Sequence, residues 1–102
     1  MGKPLSQSDI AQLITRRRNQ ILVHSCLYYR LNDSVIPDYT FDLWSKELAE
    51  LQTQFPQIAE GCVYHKEFEK FDGSSGFDLP IHDPIIVGRA VVLKRIVAGK
   101  FN

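Results

Sequence analysis

Two apolar series at helical spacing, joined by a short polar turn, constrain this chain more than any other feature. In the first, Ile10, Leu13, Ile14, Ile21, Tyr28 and Leu31 recur near a 3.6-residue period. In the second, Phe41, Trp44, Leu48, Leu51 and Phe55 step by three and four residues. Asn32-Asp33-Ser34 between them is turn chemistry, because short polar side chains satisfy local backbone groups and tolerate tight dihedrals. The chain is expected to reverse there, making residues 6–56 a helical hairpin. Ser6 is placed to cap the backbone N–H of Asp9, with Leu5 and Ile10 as a hydrophobic staple. Asp38, which follows Pro37, is the expected N-cap of the second helix, and Pro56 its expected stop.

Beyond the hairpin, residues 57–82 read as an irregular or short-stranded connection, marked by Gly61, Gly73, Gly76 and two serines. Cys62-Val63-Tyr64-His65 is a candidate strand. Asp83-Pro84 is a helix start, the aspartate capping and the proline at the first position, and Gly99 is a stop. Between them Ile85, Ile86, Val87, Ala90, Val91, Val92, Leu93, Ile96 and Val97 cover more than one face, and their β-branched content leaves a strand open as the alternative. One hairpin offers too little cover for so apolar a segment, so self-association is expected. The fold class is therefore mainly α: a single domain over residues 1–102, with a hairpin, a Gly/Ser-containing connection and an apolar C-terminal helix over 83–99, assembled as a homo-oligomer.

Composition narrows the function classes. With 44% hydrophobic and 24% charged residues, the 102-residue chain falls among ordinary globular domains. Twelve basic and twelve acidic residues cancel, which leaves direct nucleic-acid binding without a net-charge basis. Arg16-Arg17-Arg18, the densest basic run, is expected to be a solvated helix face. Cys26 and Cys62 show neither zinc-site spacing nor the density of a disulfide scaffold, which points to a reducing cytoplasm. No run of about 18 apolar residues marks a membrane span. Met1-Gly2 with Ser6 meets the myristoylation pattern formally, but one acyl chain without a second anchor does not hold a protein on a membrane.

The hairpin corner concentrates groups that bind nucleotides. Tyr28 and Tyr29 offer flat faces to a base and hydroxyls to a ribose or phosphate. Asp38 and Asp42 accept hydrogen bonds from ribose hydroxyls or a carboxamide and favour a cationic ring. His24 lies one turn upstream of the tyrosines. His24, Tyr28-Tyr29, Ile36-Pro37-Asp38, Phe41-Asp42, Glu47-Leu48, Leu51 and Phe55-Pro56 together form a gap-free string over about a third of the chain. That string resembles the N-terminal helical segment of bacterial NAD-dependent DNA ligases, which clamps the nicotinamide-mononucleotide half of NAD. The resemblance implies that Tyr28 stacks on the base, that Tyr29 and Asp38 hold ribose or phosphate, and that Asp42 meets the polar edge of the base. Phe41 stands where the family has tyrosine, which removes one hydroxyl from the clamp. The competing reading makes Tyr28, Phe41 and Trp44 hairpin core and Asp38 a cap alone.

Lys70-Phe71-Asp72-Gly73 matches the KxDG motif in which ligases carry an adenylated lysine. Such a lysine needs a pocket that lowers its pKa and a large surrounding domain. With 29 residues after Gly73, no catalytic residue is assigned and the protein is expected not to be an enzyme. Lys66, Lys70, Gly73, Ser74 and Ser75 are candidate phosphate contacts, the DGSSG backbone offering an anion nest. His24, His65 and His82 are too scattered for a metal site. The leading expectation is a protein that holds NAD or an NAD-derived nucleotide unchanged. Small ligase-related proteins of this kind resemble ones carried by bacteriophages, which implies an anti-defence sponge for a cyclic ADP-ribose-type signal in the host cytoplasm. Two alternatives are a nicotinamide-clamp accessory of a split NAD-dependent ligase or other NAD-using enzyme, and an interaction scaffold without ligand.

Overall fold

A computed structural model describes residues 5–73 and 79–99, and every regular element in them is helical. Gly2, Ser74, Ser75 and Gly76 lie outside the described residues. Helix α1 runs Gln7–Ser25 and passes without a break into a π-helical turn, Cys26–Arg30. Helix α2 spans Asp38–Gln54, the short α3 Pro56–Glu60, and α4 Pro84–Gly99. Helix α1 is the central element. It packs against α2 and α3, and also against α4, which continues onto the π turn.

The start of α1 follows from its residues. The Ser6 hydroxyl accepts from Asp9 N at 3.1 Å while the Asp9 carboxylate accepts from Ser6 N at 3.2 Å, a reciprocal capping box. Leu5 stays exposed while Ile10 is buried, so the side chain a staple would cover is left in solvent. The core is built from the apolar stripe of α1 and the π turn (Ile10, Ile14, Ile21, Leu22, Cys26, Leu27) with Leu48 of α2, Ala59 of α3, Phe68, Leu79, Ile81, and Ile86 and Ala90 of α4.

Arg18 occupies a core position of that stripe, four residues from Ile14 and three from Ile21. The expectation of a solvated Arg16–Arg18 face is corrected here, because Arg18 is only 1% exposed. Its guanidinium donates to Gln52 Oε1 (2.8 Å) and to the carbonyls of Ala59 (3.0 Å), Cys62 (3.2 Å) and Val63 (3.0 Å). Gln52 Nε2 in turn donates to Phe68 O at 3.2 Å. One buried cation thus ties α1, α2 and the segment after α3 together through carbonyls, which meets the requirement that a buried charge be hydrogen-bonded. Burial lowers the Arg18 pKa, and Cys62 and Glu67 oppose that shift.

Other expectations also change. Pro37, in extended conformation, is the residue before α2, and no side chain caps that helix, so Asp38 is its first residue rather than its cap. The second helix ends ahead of Pro56 as expected, but a short helix follows at once. Phe55 (φ −127°, ψ 62°) breaks α2, and Pro56 then sits at the first position of α3, where its missing N–H costs nothing. Cys62–His65 forms turns, not a strand, with Tyr64 held at φ 67° as the segment curls its carbonyls toward Arg18. Residues 84–99 are helix, not strand, and Asp83 Oδ1 caps them by accepting from Ile85 N at 2.9 Å. No helix among the described residues is long and apolar enough to cross a membrane.

Candidate functional site

Where α1 ends, its backbone widens. Leu31 N donates to Cys26 O at 3.1 Å, Asp33 N reaches back to Leu27 O at 2.8 Å, and Asn32 adopts the left-handed conformation at φ 51°. This is a glycine-type helix cap widened by the π turn, with asparagine supplying the positive φ. Ser34 then locks the loop, its N–H donating to Asp33 Oδ1 at 2.8 Å and its hydroxyl to Ile36 O at 2.8 Å. π turns in helices often mark functional positions, and this one carries Tyr28 and Tyr29. Their rings meet edge to face at 4.9 Å and 83°.

A cavity of about 230 Å³ opens between the π turn, the loop and the start of α2. His24, Tyr28, Tyr29, Ser34, Ile36, Asp38, Phe41 and Asp42 line it. All six corner residues named from the sequence are therefore gathered around one concavity. Ser34 and Ile36 are additions. Their signal lay in the same string, where Ser34 read only as turn chemistry and Ile36 only as part of the Ile-Pro-Asp turn. Tyr28 and Tyr29 remain 55% and 38% exposed, so neither is hairpin core, whereas Phe41 and Trp44 do pack against the core.

The electrostatics of the lining are uneven. Asp38 and Asp42 stand one turn apart on α2, and among the described residues neither carboxylate has a hydrogen-bond or ion-pair partner. Like charges at this spacing cost a helix a few tenths of a kcal/mol, while Asp38 is offset by the positive end of the α2 dipole. His24 faces them as a neutral group, because burial lowers its pKa below the ordinary 6.5. Its ring packs on Trp44 at 5.4 Å and 59°. Arg17 lies over the same indole at 5.6 Å and pairs with Glu47 at 3.4 Å. The cavity thus offers two carboxylates, two phenols, an imidazole and an apolar ring.

The second group of candidates is not brought to this site. Lys66 and Lys70 are exposed and do not line the cavity, and neither does Gly73. Gly73 has φ +87°, and a Cβ there would lie 3.1 Å from Ser45 O and 3.4 Å from Ala49 Cβ. The glycine of the KFDG run is thereby explained by close approach to α2. Ser74 and Ser75 lie outside the described residues. Among the described residues no cluster of His, Cys, Asp and Glu is arranged to hold a metal ion.

Residues 7–61, covering α1 through α3, match the family model described as DNA ligase-like, N-terminal NAD+-binding domain. The DNA ligase of Leptospira interrogans is 35% identical over 77 residues, covering 68% of this chain and 11% of the ligase. DNA ligase 1 of Opitutus terrae is 41% identical over 77 residues, 76% of this chain and 11% of that protein. The DNA ligase of Leptospira biflexa is 37% identical over 79 residues, 70% and 12% respectively. The chain therefore spans about a tenth of the length of these relatives. No solved structure matches the chain.

Proposed function

The chain belongs to the family of DNA ligase-like, N-terminal NAD+-binding domains, and from that premise we propose that it binds NAD or an NAD-derived nucleotide in the corner cavity and leaves it chemically unchanged. The observation that carries this reading is the convergence of His24, Tyr28, Tyr29, Asp38, Phe41 and Asp42 on a single concavity. At about 230 Å³ the cavity lies just below the roughly 300–1,000 Å³ of typical small-molecule pockets, a size that suits one ring-and-ribose half of a dinucleotide. A cationic nicotinamide would relieve the repulsion between Asp38 and Asp42, and neutral His24 would not oppose it. The phenols supply ring faces and hydroxyls, and Phe41 closes the wall with an apolar face.

The binding is non-catalytic in this reading. Lys70, the lysine in the adenylation-type motif, is exposed and away from the lining, and Gly73 serves packing against α2. The role proposed is that of a phage-encoded sponge in the host cytoplasm, sequestering an NAD-derived immune signal such as a cyclic ADP-ribose. Such a role needs affinity alone, which is what a pocket of stacking and hydrogen-bonding groups supplies.

Titration calorimetry of the purified chain with NAD, nicotinamide mononucleotide and cyclic ADP-ribose isomers tests the proposal, with the ligand recovered and weighed by mass spectrometry. Heat release with unchanged ligand is expected for at least one of them. Product formation, or an adenylate on Lys70, would move the chain to the NAD-using enzymes. Silence with all three would leave the hairpin as an interaction scaffold.

A further inference from the structure

Helix α4 and the turn that leads into it at Ile81-His82 lie beyond the residues matched by the family model, yet they reach the cavity's framework at two points. Arg30, which closes the π turn immediately after Tyr29, donates from Nη1 to His82 Nδ1. In the loop that follows, Lys94 Nζ pairs with Asp33 Oδ2 at 3.3 Å, while the other oxygen of the same carboxylate holds the N–H of the cavity residue Ser34 at 2.8 Å. A third tie joins α4 to α1 below the corner, where Arg89 Nη1 donates to Asn19 Oδ1 at 2.8 Å. Between these contacts Ile86 and Ala90 are fully buried. The π turn and the loop after it are thus each held from outside the hairpin.

Exposed polar pairs of this kind add little to stability, so their effect is on geometry. A π turn closes its hydrogen bond over one residue more than an α-helical turn does, and its register decides where the two tyrosine rings stand. Ligand affinity depends on placement to within about 0.5 Å. We propose that His82 and Lys94 are positioning residues for the cavity: through Arg30 and Asp33 they fix the π turn and the Ser34 loop, and so set Tyr28, Tyr29 and Ser34 for the nucleotide. This inference rests on the cavity being the binding site.

The test compares His82→Phe/Lys94→Met with His82→Asn and Lys94→Arg. Asparagine keeps an acceptor at the place of His82 Nδ1, and arginine keeps the cation opposite Asp33. Two readouts are taken: calorimetric affinity for nicotinamide mononucleotide, and the nuclear magnetic resonance shifts of the Tyr28 and Tyr29 rings and the Ser34 amide in free protein. The double variant should bind about tenfold more weakly, near 1.4 kcal/mol, with those resonances displaced and helical circular dichroism retained. The conservative variants should bind as wild type does. If the double variant loses its helical signal, His82→Phe and Lys94→Met are compared singly by the same readouts. Unmoved resonances and unchanged affinity in a folded variant would overturn the assignment. Should wild type ignore nicotinamide mononucleotide, the binding proposal for that ligand fails, and the free-protein resonances still decide whether His82 and Lys94 set the corner.

Discussion

Replacing Arg18 with methionine keeps most of the side chain's length and removes all four of its hydrogen bonds. The carbonyls of Ala59, Cys62 and Val63 would lose their donor inside or at the edge of the core, so Arg18→Met should cost about 3 kcal/mol by denaturant unfolding. A loss under about 1 kcal/mol would show that these groups find other partners. Asp42→Asn behaves in the opposite way. The carboxylate is exposed and has no protein partner to lose, so stability should stay within about 1 kcal/mol of wild type. Nucleotide affinity should fall by about 1.5–3 kcal/mol, as for a charge-assisted hydrogen bond, and calorimetry with unchanged affinity would remove Asp42 from the site. His24 supplies a pH dependence. Its native pKa lies below its unfolded value because burial disfavours the cation, so the unfolded chain binds the proton more readily. The His24 contribution to stability is complete above about pH 6.5 and declines as pH falls from there through the lowered native value. Thermal melts between pH 8 and 5 should show this slope, and His24→Gln should flatten it.

At the scale of the elements, the connection after α3 owes its course to one backbone dihedral and one side chain. Gly73→Ala would force a Cβ into the left-handed region and against the α2 backbone, so it should destabilise by about 1–2 kcal/mol, measured as a shift in the urea midpoint. The hairpin, the turn at Asn32 and the cap at Asp83 were legible in the sequence because each depends on neighbours within four residues. The six cavity residues were legible for the same reason, lying in one contiguous string around a turn. The partners of Arg18 were not, since three of its four acceptors are main-chain carbonyls 41 to 45 residues away, and carbonyls carry no residue identity. Only its spacing from Ile14 and Ile21 marked it as inward-facing. The π turn was hidden too, because a single widened turn leaves the apolar period nearly intact. Helix α2 does end ahead of Pro56, as its sequence signalled, while the same proline at the first position of α3 started a helix that was not read.

Across the whole molecule, α4 buries Ile86 and Ala90 and leaves Ile85, Val92 and Ile96 in solvent along one side, with open space at Gly88. Self-association through this side remains our proposal, since exposed apolar surface of this kind commonly marks a contact. Ile96→Glu and Val92→Glu should lower the mass seen by light scattering to that of the 11.7 kDa monomer while keeping helical circular dichroism. A wild-type mass already at that value would end the idea. The sole tryptophan of the chain is the one whose indole rests on His24, a wall of the cavity. A protonated imidazole quenches a neighbouring indole more strongly than a neutral one, and a ring seated against His24 alters the same surroundings. The emission of Trp44 is therefore expected to report a change of proton on His24 or a ring seated against it, readable without a label and without a second chromophore of its kind to blur it.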